Sequence, residues 1–492
     1  MQWLRATALA LGCVGVVLSE KPTQYIYVRE SGGPEQHRLA FAGDGGMAVG
    51  WNTFEKVDSP TVHYGKHKDQ LTQYAVGTSS TYPTSTTWNN HVKLSQLEHN
   101  TTYYYKTKDD NNVYNFTTAP ETGSKEPFTF AFVADLGTMG PLGLSADGDE
   151  EWNLQPGEMN TMDSLKSRID EYKFIWHDGD IAYADYWLKE KVQGYLEDGS
   201  IADGPRLYEE ILNSFYNDMQ PLSAVRPYMV GPGNHESNCN NGGYKNYTSS
   251  ICVEGQTNFT GYNAHYKMPS QESGGVENMW YSFDYGQVHF VQFNTETDFP
   301  NYPEKEGMNA TNFGKHNEQL DWIKKDLQNV DRSKTPWVIA AGHRPWYVAI
   351  EEKEDAQKAC QQAFEQLFYE NGVDVMLYGH VHNYQTFYPL LDGKVDKNGF
   401  NNPKFPVHIL NGAAGHYDGL DEVDFDHKPD GFRKGFSVYG WSKFIVHNET
   451  HLTQEFVASG NNTILDSFTI YKERENANPP DDMIISIDLR DS

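Results

Sequence analysis

Five short motifs set Asp, Asn, Tyr or His beside glycine. They are Asp135-Leu136-Gly137, Gly179-Asp180-Ile181-Ala182-Tyr183, Gly233-Asn234-His235-Glu236, Gly342-His343 and Gly379-His380-Val381-His382. Asp, Asn and Tyr offer hard oxygen donors, and His offers nitrogen. That mixture suits iron, zinc or manganese rather than calcium. One carboxylate can bridge two ions, and a phenolate favours a trivalent one. Each motif alone has an ordinary reading. Asp135 suits a turn, Asp180 a helix cap, Tyr183 packing, Asn234 a turn and His343 a core or surface site. The Gly-His-x-His pair is more specific. The set becomes very specific because every motif follows an apolar run of strand length.

Those runs are Phe128–Ala134, Phe174–His177, Tyr228–Gly231, Trp337–Ala341 and Val373–Tyr378, with Val288–Phe293 as a further strand. Amphipathic helices alternate with them. In 319–330, Leu320, Ile323 and Leu327 mark one helical face. This is the pattern of an α/β layered domain. In such a sheet the active site lies at the carboxyl ends of the strands, so ligands distant in sequence converge at one edge. Glycine beside each ligand lets the backbone turn sharply and approach an ion.

Upstream, residues 20–122 read as an all-β sandwich of fibronectin III-like kind. Short runs at Ala48–Trp51, Val62–Tyr64, His91–Leu94 and Thr102–Thr107 are separated by Gly, Pro, Ser and Asn clusters. No metal-ligand cluster falls there, which marks an accessory domain. A polar linker spans 119–127. The catalytic domain is expected over 127–400, with a β-rich part at 401–472 completing it and a charged tail at 473–492 that is mobile or draped on the surface. The length of 492 residues fits this division.

Net charge is −29, from 39 basic and 68 acidic residues. That disfavours nucleic acid as a partner. A small anionic substrate remains compatible when metal ions supply local positive charge. Residues 1–19 read as a secretory signal: Arg5, an apolar run from Ala6 to Leu18, and small residues Val17 and Ser19 before the cleavage point. No other stretch is long enough to span a membrane, and Met483 to Leu489 is too short and charged for a GPI signal. Seven N-x-S/T sequons, at Asn100, Asn115, Asn246, Asn258, Asn309, Asn448 and Asn461, fit a secreted glycoprotein. Of four cysteines, Cys13 leaves with the signal. Cys239 and Cys252 flank a polar loop and are expected to form a disulfide. Cys360 lies in a helical pattern and is expected to be a buried free thiol.

The ordered motif series resembles the metallophosphoesterase pattern, and Tyr183 marks the purple acid phosphatase branch. The resemblance covers the whole mature chain. The fungal members are nearest in feel, given the stretch 179–187 (GDIAYADYW) and 412–415 (GAAG). It implies a β-sandwich core in αββα layers. It also implies a role for each matching residue. Asp135, Tyr183 and His382 hold Fe(III). Asn234, His343 and His380 hold a divalent ion, which is zinc, manganese or iron. Asp180 bridges the two. His235 stands by the leaving group, with Asn234 also meeting substrate. Two departures are visible. Ala340 replaces the Val of the family's Val-x-x-His motif, a packing change. Arg344-Pro345-Trp346-Tyr347 is followed by no nearby histidine, so Arg344 is a candidate for substrate contact and equally for a structural ion pair.

The implied activity is hydrolysis of small phosphate monoesters by attack of a metal-bound hydroxide, with His235 as general acid. Two rival readings stand beside it. One is a phosphodiesterase or nucleotidase on the same core. The other is a metal-free surface-binding protein with a degenerate phosphatase fold. A Cys-x5-Arg loop and an Arg-His-Gly-x-Arg signature are both absent. The oligomeric state stays open, a homo-oligomer included.

Overall fold

The computed structural model describes residues 33–138, 154–187, 201–237, 253–302, 313–415 and 419–474. The expected signal at 1–19, the Cys239–Cys252 bond, the sequons at Asn246 and Asn309 and most of the tail lie outside these residues.

Eight strands form the upstream part: β1 (Glu35–Phe41), β2 (Met47–Thr53), β3 (Thr61–Gly65), β4 (Gln73–Val76), β5 (Thr78–Ser80), β6 (Trp88–Leu94), β7 (Thr102–Thr107) and β8 (Tyr114–Thr117). They make two antiparallel four-stranded sheets, ordered β1-β2-β6-β5 and β4-β3-β7-β8. In β7 the alternation is visible residue by residue: Tyr103 and Tyr105 are buried while Thr102 is exposed.

The rest of the chain builds two larger sheets. The first contains β9 (Phe128–Val133), β10 (Ile175–Asp178), β11 (Tyr228–Gly231), β21 (Gly440–Val446), β22 (His451–Ala458) and β23 (Thr463–Tyr471), ordered β11-β10-β9-β21-β22-β23. The second contains β12 (Tyr281–Tyr285), β13 (Val288–Gln292), β14 (Trp337–Ala341), β15 (Val375–Tyr378), β16 (Tyr384–Phe387), β19 (Val407–Asn411) and β20 (Phe432–Phe436), ordered β12-β13-β14-β15-β19-β16-β20. A small β17–β18 ribbon (Leu390–Leu391 and Lys394–Val395) lies apart. The sheets face each other through aromatic rings. Phe130 meets Phe290 at 5.1 Å, and Trp176 meets Phe290 at 5.4 Å. Such pairs add specificity to a large apolar burial.

Helices cover the outer faces. Trp441, on the outer face of β21, donates to Ser164 Oγ of the helix Thr161–Ser167. On the other side Asp326, from the helix Glu318–Gln328, meets Ser282 and His289. Ile323 and Leu327 of that helix are buried and Leu320 is half-buried, so the expected face is the packed one. The result is the expected αββα layering.

The strands that precede the five motifs run in the parallel sections. β9, β10 and β11 are mutually parallel, as are β13, β14, β15 and β19. Their carboxyl ends therefore reach one common edge. The strand read at Phe174–His177 runs one residue later, at Ile175–Asp178, and β15 begins at Val375. The β-rich section after residue 401 divides: β19 and β20 complete one sheet, while β21 returns to pair with β9. Among the described helices none is long and apolar enough to cross a membrane.

Candidate metal centre

Each of the five motifs starts within three residues of its strand's end, and the structure brings their side chains together. Asp135, Asp180, Tyr183 and His380 all adopt positive φ, at 59°, 50°, 51° and 74°. Left-handed backbone at non-glycine residues costs on the order of 1–3 kcal/mol each and concentrates at functional sites. The glycines permit the close approach. A Cβ on Gly179 would lie 2.7 Å from Gly233 Cα and from His343 Nδ1. One on Gly233 would lie 2.3 Å from Asp180 Oδ1.

Tyr183 Oη sits 3.0 Å from Asp135 Oδ1, 3.3 Å from Asp180 Oδ2 and 3.1 Å from His382 Nε2. His343 Nε2 lies 3.0 Å from Asp180 Oδ2 and 3.9 Å from Asp135 Oδ1. His380 Nδ1 lies 2.8 Å from Asn234 Oδ1. Donor atoms of Asp180, His343 and His380 all fall within 4.8 Å of one another. All seven ligand candidates read from the sequence thus share one site, with Asp180 between the Asp135–Tyr183–His382 group and the His343–His380–Asn234 group.

The electrostatics of the site would suit a cation. Burial and the carboxylates of Asp135 and Asp180 push the Tyr183 phenol well above its usual value of 10. A cation at that oxygen would reverse this cost. Burial opposes charge on His343, but Asp180 and Asp135 outweigh it and raise its pKa. His343 Nε2 is buried without a well-angled hydrogen-bond partner. Its other ring nitrogen, Nδ1, is bound to the Asp178 carbonyl at 2.9 Å, which aims Nε2 at the site. Burial raises the Asp178 carboxyl to about 7, with Gln292 donating to it at 2.7 Å. Two carboxylates, a phenol, an amide oxygen and three imidazoles fit a pair of hard or borderline cations.

His235 stands beside this cluster. Its Nδ1 is 2.7 Å from Asp185 Oδ2, and its Nε2 is 3.8 Å from Asp180 Oδ2. The Tyr183 and Tyr186 rings flank it at 4.3 and 4.7 Å. Burial disfavours the imidazolium, yet Asp185 and Asp180 lift its pKa to about 9. Arg344 takes the ion-pair alternative of its two sequence readings. It is fully buried, and its Nε lies 3.0 Å from both Glu296 oxygens.

Four supporting residues escaped the sequence reading. Asp185 orients His235. Glu236 accepts from the backbone N–H groups of Asp180, Ile181 and Gly233 at 2.8–2.9 Å, tying two motifs together. Asp421 accepts from the His382 backbone N–H at 2.8 Å and lies 4.0 Å from the ring Nδ1. Glu354 lies 3.3 Å from His380 Nε2. Asp185 and Glu236 sit inside motifs already singled out, which is a usable signal; Asp421 and Glu354 have none.

Among the described sequons, Asn100, Asn115, Asn258 and Asn461 are exposed and Asn448 is half-buried. Cys360 is buried and free, with Trp346 Nε1 at 3.4 Å from its sulfur. Of the tail, Arg474 lies over the Trp337 ring at 4.8 Å and pairs with Asp374 at 3.5 Å.

Carboxylates and imidazoles gathered at the strand ends of a two-sheet αββα core define a metallophosphoesterase. Comparison with known families agrees. Residues 128–384 match the calcineurin-like phosphoesterases, 34–118 the purple acid phosphatase N-terminal domain and 405–467 the iron/zinc purple acid phosphatase-like C-terminal domain. Acid phosphatase A of Cryphonectria parasitica is 38% identical over 472 residues, covering 89% of this chain and 92% of its own. An acid phosphatase of Aspergillus ficuum is 30% identical, covering 87% and 85%. The purple acid phosphatase from yellow lupin (Lupinus luteus) seeds shares the fold, with a TM-score of 0.68 at 23% identity over 90% of this chain and 75% of its own. The chain belongs to the purple acid phosphatase family and is an acid phosphatase.

Proposed function

We propose that the chain is secreted and hydrolyses small phosphate monoesters at a dinuclear centre of Fe(III) and a divalent ion. In this reading Asp135, Tyr183 and His382 hold the iron, while Asn234, His343 and His380 hold zinc, manganese or a second iron. Asp180 bridges them. The carrying observation is the placement of Asp180, whose carboxylate lies within 3.0 Å of His343 and 3.3 Å of Tyr183. Two cations held by these residues would supply positive charge for the phosphate oxygens and would lower the pKa of water, the chemistry that hydrolysis in acid needs.

The chain's own residues then divide the remaining work. Asn234 and the ligand histidines set where the phosphate oxygens rest. His235 holds a proton on Nε2 while Asp185 fixes the ring through Nδ1. It gives that proton to the leaving oxygen. A trivalent ion is favoured because two carboxylates and a phenol converge on one side of the site.

The test combines elemental analysis with a visible spectrum of the purified protein. One iron per chain, a second metal and a tyrosinate band are expected. Substoichiometric iron in active protein would refute the assignment. Faster turnover of bis(nitrophenyl) phosphate than of nitrophenyl phosphate would favour the diesterase alternative instead.

A further inference from the structure

His380 differs from the other ligand candidates in what stands behind its ring. One nitrogen, Nδ1, faces Asn234 Oδ1 at 2.8 Å and so points into the centre. The other, Nε2, meets a pair of opposite charges: Arg344 Nη1 at 3.1 Å and Glu354 Oε2 at 3.3 Å. Those two groups are bonded to each other. Arg344 is anchored from below by Glu296, with Nε 3.0 Å from both carboxylate oxygens and Nη2 at 2.9 Å from Oε2. Both partners of that lower pair are wholly buried, so its geometry is fixed.

Glu354 has a second role that holds its side chain in place. It is the N-cap of the helix Asp355–Glu370. Its side chain accepts from the Gln357 backbone, and the Gln357 side chain accepts from the Glu354 N–H at 3.0 Å. A reciprocal capping box of this kind orders both residues. The carboxylate is thus set by the helix on one side and by Arg344 on the other, and it is half-exposed.

The chemistry of an imidazole ligand makes this seat consequential. If Nδ1 gives its lone pair to a cation, Nε2 must carry the proton. That N–H then needs an acceptor, and ligand histidines are oriented by such acceptors. Arg344 can only donate. Among the described residues, Glu354 Oε2 offers an acceptor at 3.3 Å.

We propose that Glu354, held by Arg344 and Glu296, is the positioning residue that aims His380 at the divalent ion. This rests on the reading of His380 as a ligand of that ion. The helix Asp355–Glu370 is thereby coupled to the metal centre, because one carboxylate caps the helix and seats the ring.

The test titrates Zn2+ into iron-containing protein stripped of its divalent ion, in competition with a chromophoric chelator. E354A is expected to bind Zn2+ about 10- to 100-fold more weakly, the usual effect of losing a ligand's outer partner. Its tyrosinate band should be unchanged, since Tyr183 lies on the other side of Asp180. E354Q keeps an acceptor oxygen and should lose less. Q357A removes only the acceptor for the Glu354 N–H and leaves the Glu354 carboxylate its bonds to the residue 357 N–H and to Arg344, so it should melt earlier yet bind Zn2+ normally. Wild-type affinity in E354A overturns the proposal. Should loss of the cap unfold E354A, E354S decides, since serine caps the helix but is too short to reach His380: wild-type Zn2+ affinity in E354S overturns the brace. If the wild-type chain takes up no divalent ion at all, the ligand reading and the brace fall together.

Discussion

At the scale of single residues, Tyr183 and His235 carry opposite demands. Tyr183 is a phenol whose ionisation is opposed by burial and by two carboxylates. It can become a phenolate at ordinary pH only with a cation at its oxygen. Any visible tyrosinate band is therefore a report on that ion. Tyr183→Phe should give a folded, colourless protein, and reductive removal of iron from the wild type should bleach it likewise. A band that survives either treatment would place the chromophore elsewhere. His235 is the reverse case, a ring kept protonated by Asp185 and Asp180 to about 9. His235→Ala should lower kcat by about 10²- to 10⁴-fold on alkyl phosphates, the usual weight of general-acid catalysis. The loss on nitrophenyl phosphate should be smaller, since that leaving group needs no proton. Equal losses on both substrates would count against the acid role.

At the scale of elements, the site depends on loops that bend at strand ends and on how closely they pass. The 178–183 turn and the 231–235 turn touch through glycine: a Cβ on Gly233 would meet Asp180 Oδ1 at 2.3 Å and Asp180 N at 2.5 Å. Gly233→Ala should therefore separate the two motifs. Overpacking of this kind destabilises by about 1–3 kcal/mol. It should also lower bound metal, read by elemental analysis against the wild type. Unchanged metal content would mean that the turns can part without disturbing Asp180.

These turns were legible in the sequence for a physical reason. An apolar run of strand length followed by glycine and a ligand-type residue is a local pattern, and β9, β11, β14 and β15 follow it closely. The acceptors behind the histidines were not legible. Glu354 is separated from His380 by 26 residues and Asp421 from His382 by 39, and no periodicity links them. The division of the last strands between two sheets was hidden for the same reason. β21 is covered on both faces, with Trp441 and Phe444 each fully buried, and only its register against β9, from Ser442 with Phe132 to Val446 with Phe128, says which sheet it joins. Arg344 shows the limit from the other side. A charged residue beside a ligand histidine reads as a substrate contact or an ion pair, and only its burial against Glu296 decides.

At the scale of the whole molecule, the upstream sandwich is fixed to the catalytic part by buried polar contacts as well as apolar ones. Phe41 packs on Phe174 and Phe283, and Tyr105 Oη donates to the Ala224 carbonyl. At the same boundary Tyr82 Oη donates to Glu209 Oε2 at 2.8 Å. Glu209 is buried, and burial raises its carboxyl from 4.5 to about 8, despite the bond from Tyr82. The folded protein thus keeps a proton there that the unfolded chain has already released. Stability then falls as pH rises from about 4.5 and levels off above about 8. His289 adds in the same direction. Burial works against its charge, but bonds to Asp284 and Asp326 lift it to about 9, so its contribution is whole below 6.5 and is lost as pH rises through 9. A net charge of −29 adds self-repulsion as carboxylates ionise. The Glu209 and His289 contributions are both greater at pH 5 than at pH 8.5, whereas the buried rings of His91, His177 and His408, held down to about 3 by burial, pull stability the other way as pH falls below 6.5. Glu209→Gln keeps the shape and an acceptor for Tyr82 while removing the titration. It should raise the melting temperature at pH 8.5 and leave it nearly unchanged at pH 4. A variant that gains equally at both pH values would show that Glu209 carries no proton in the folded protein.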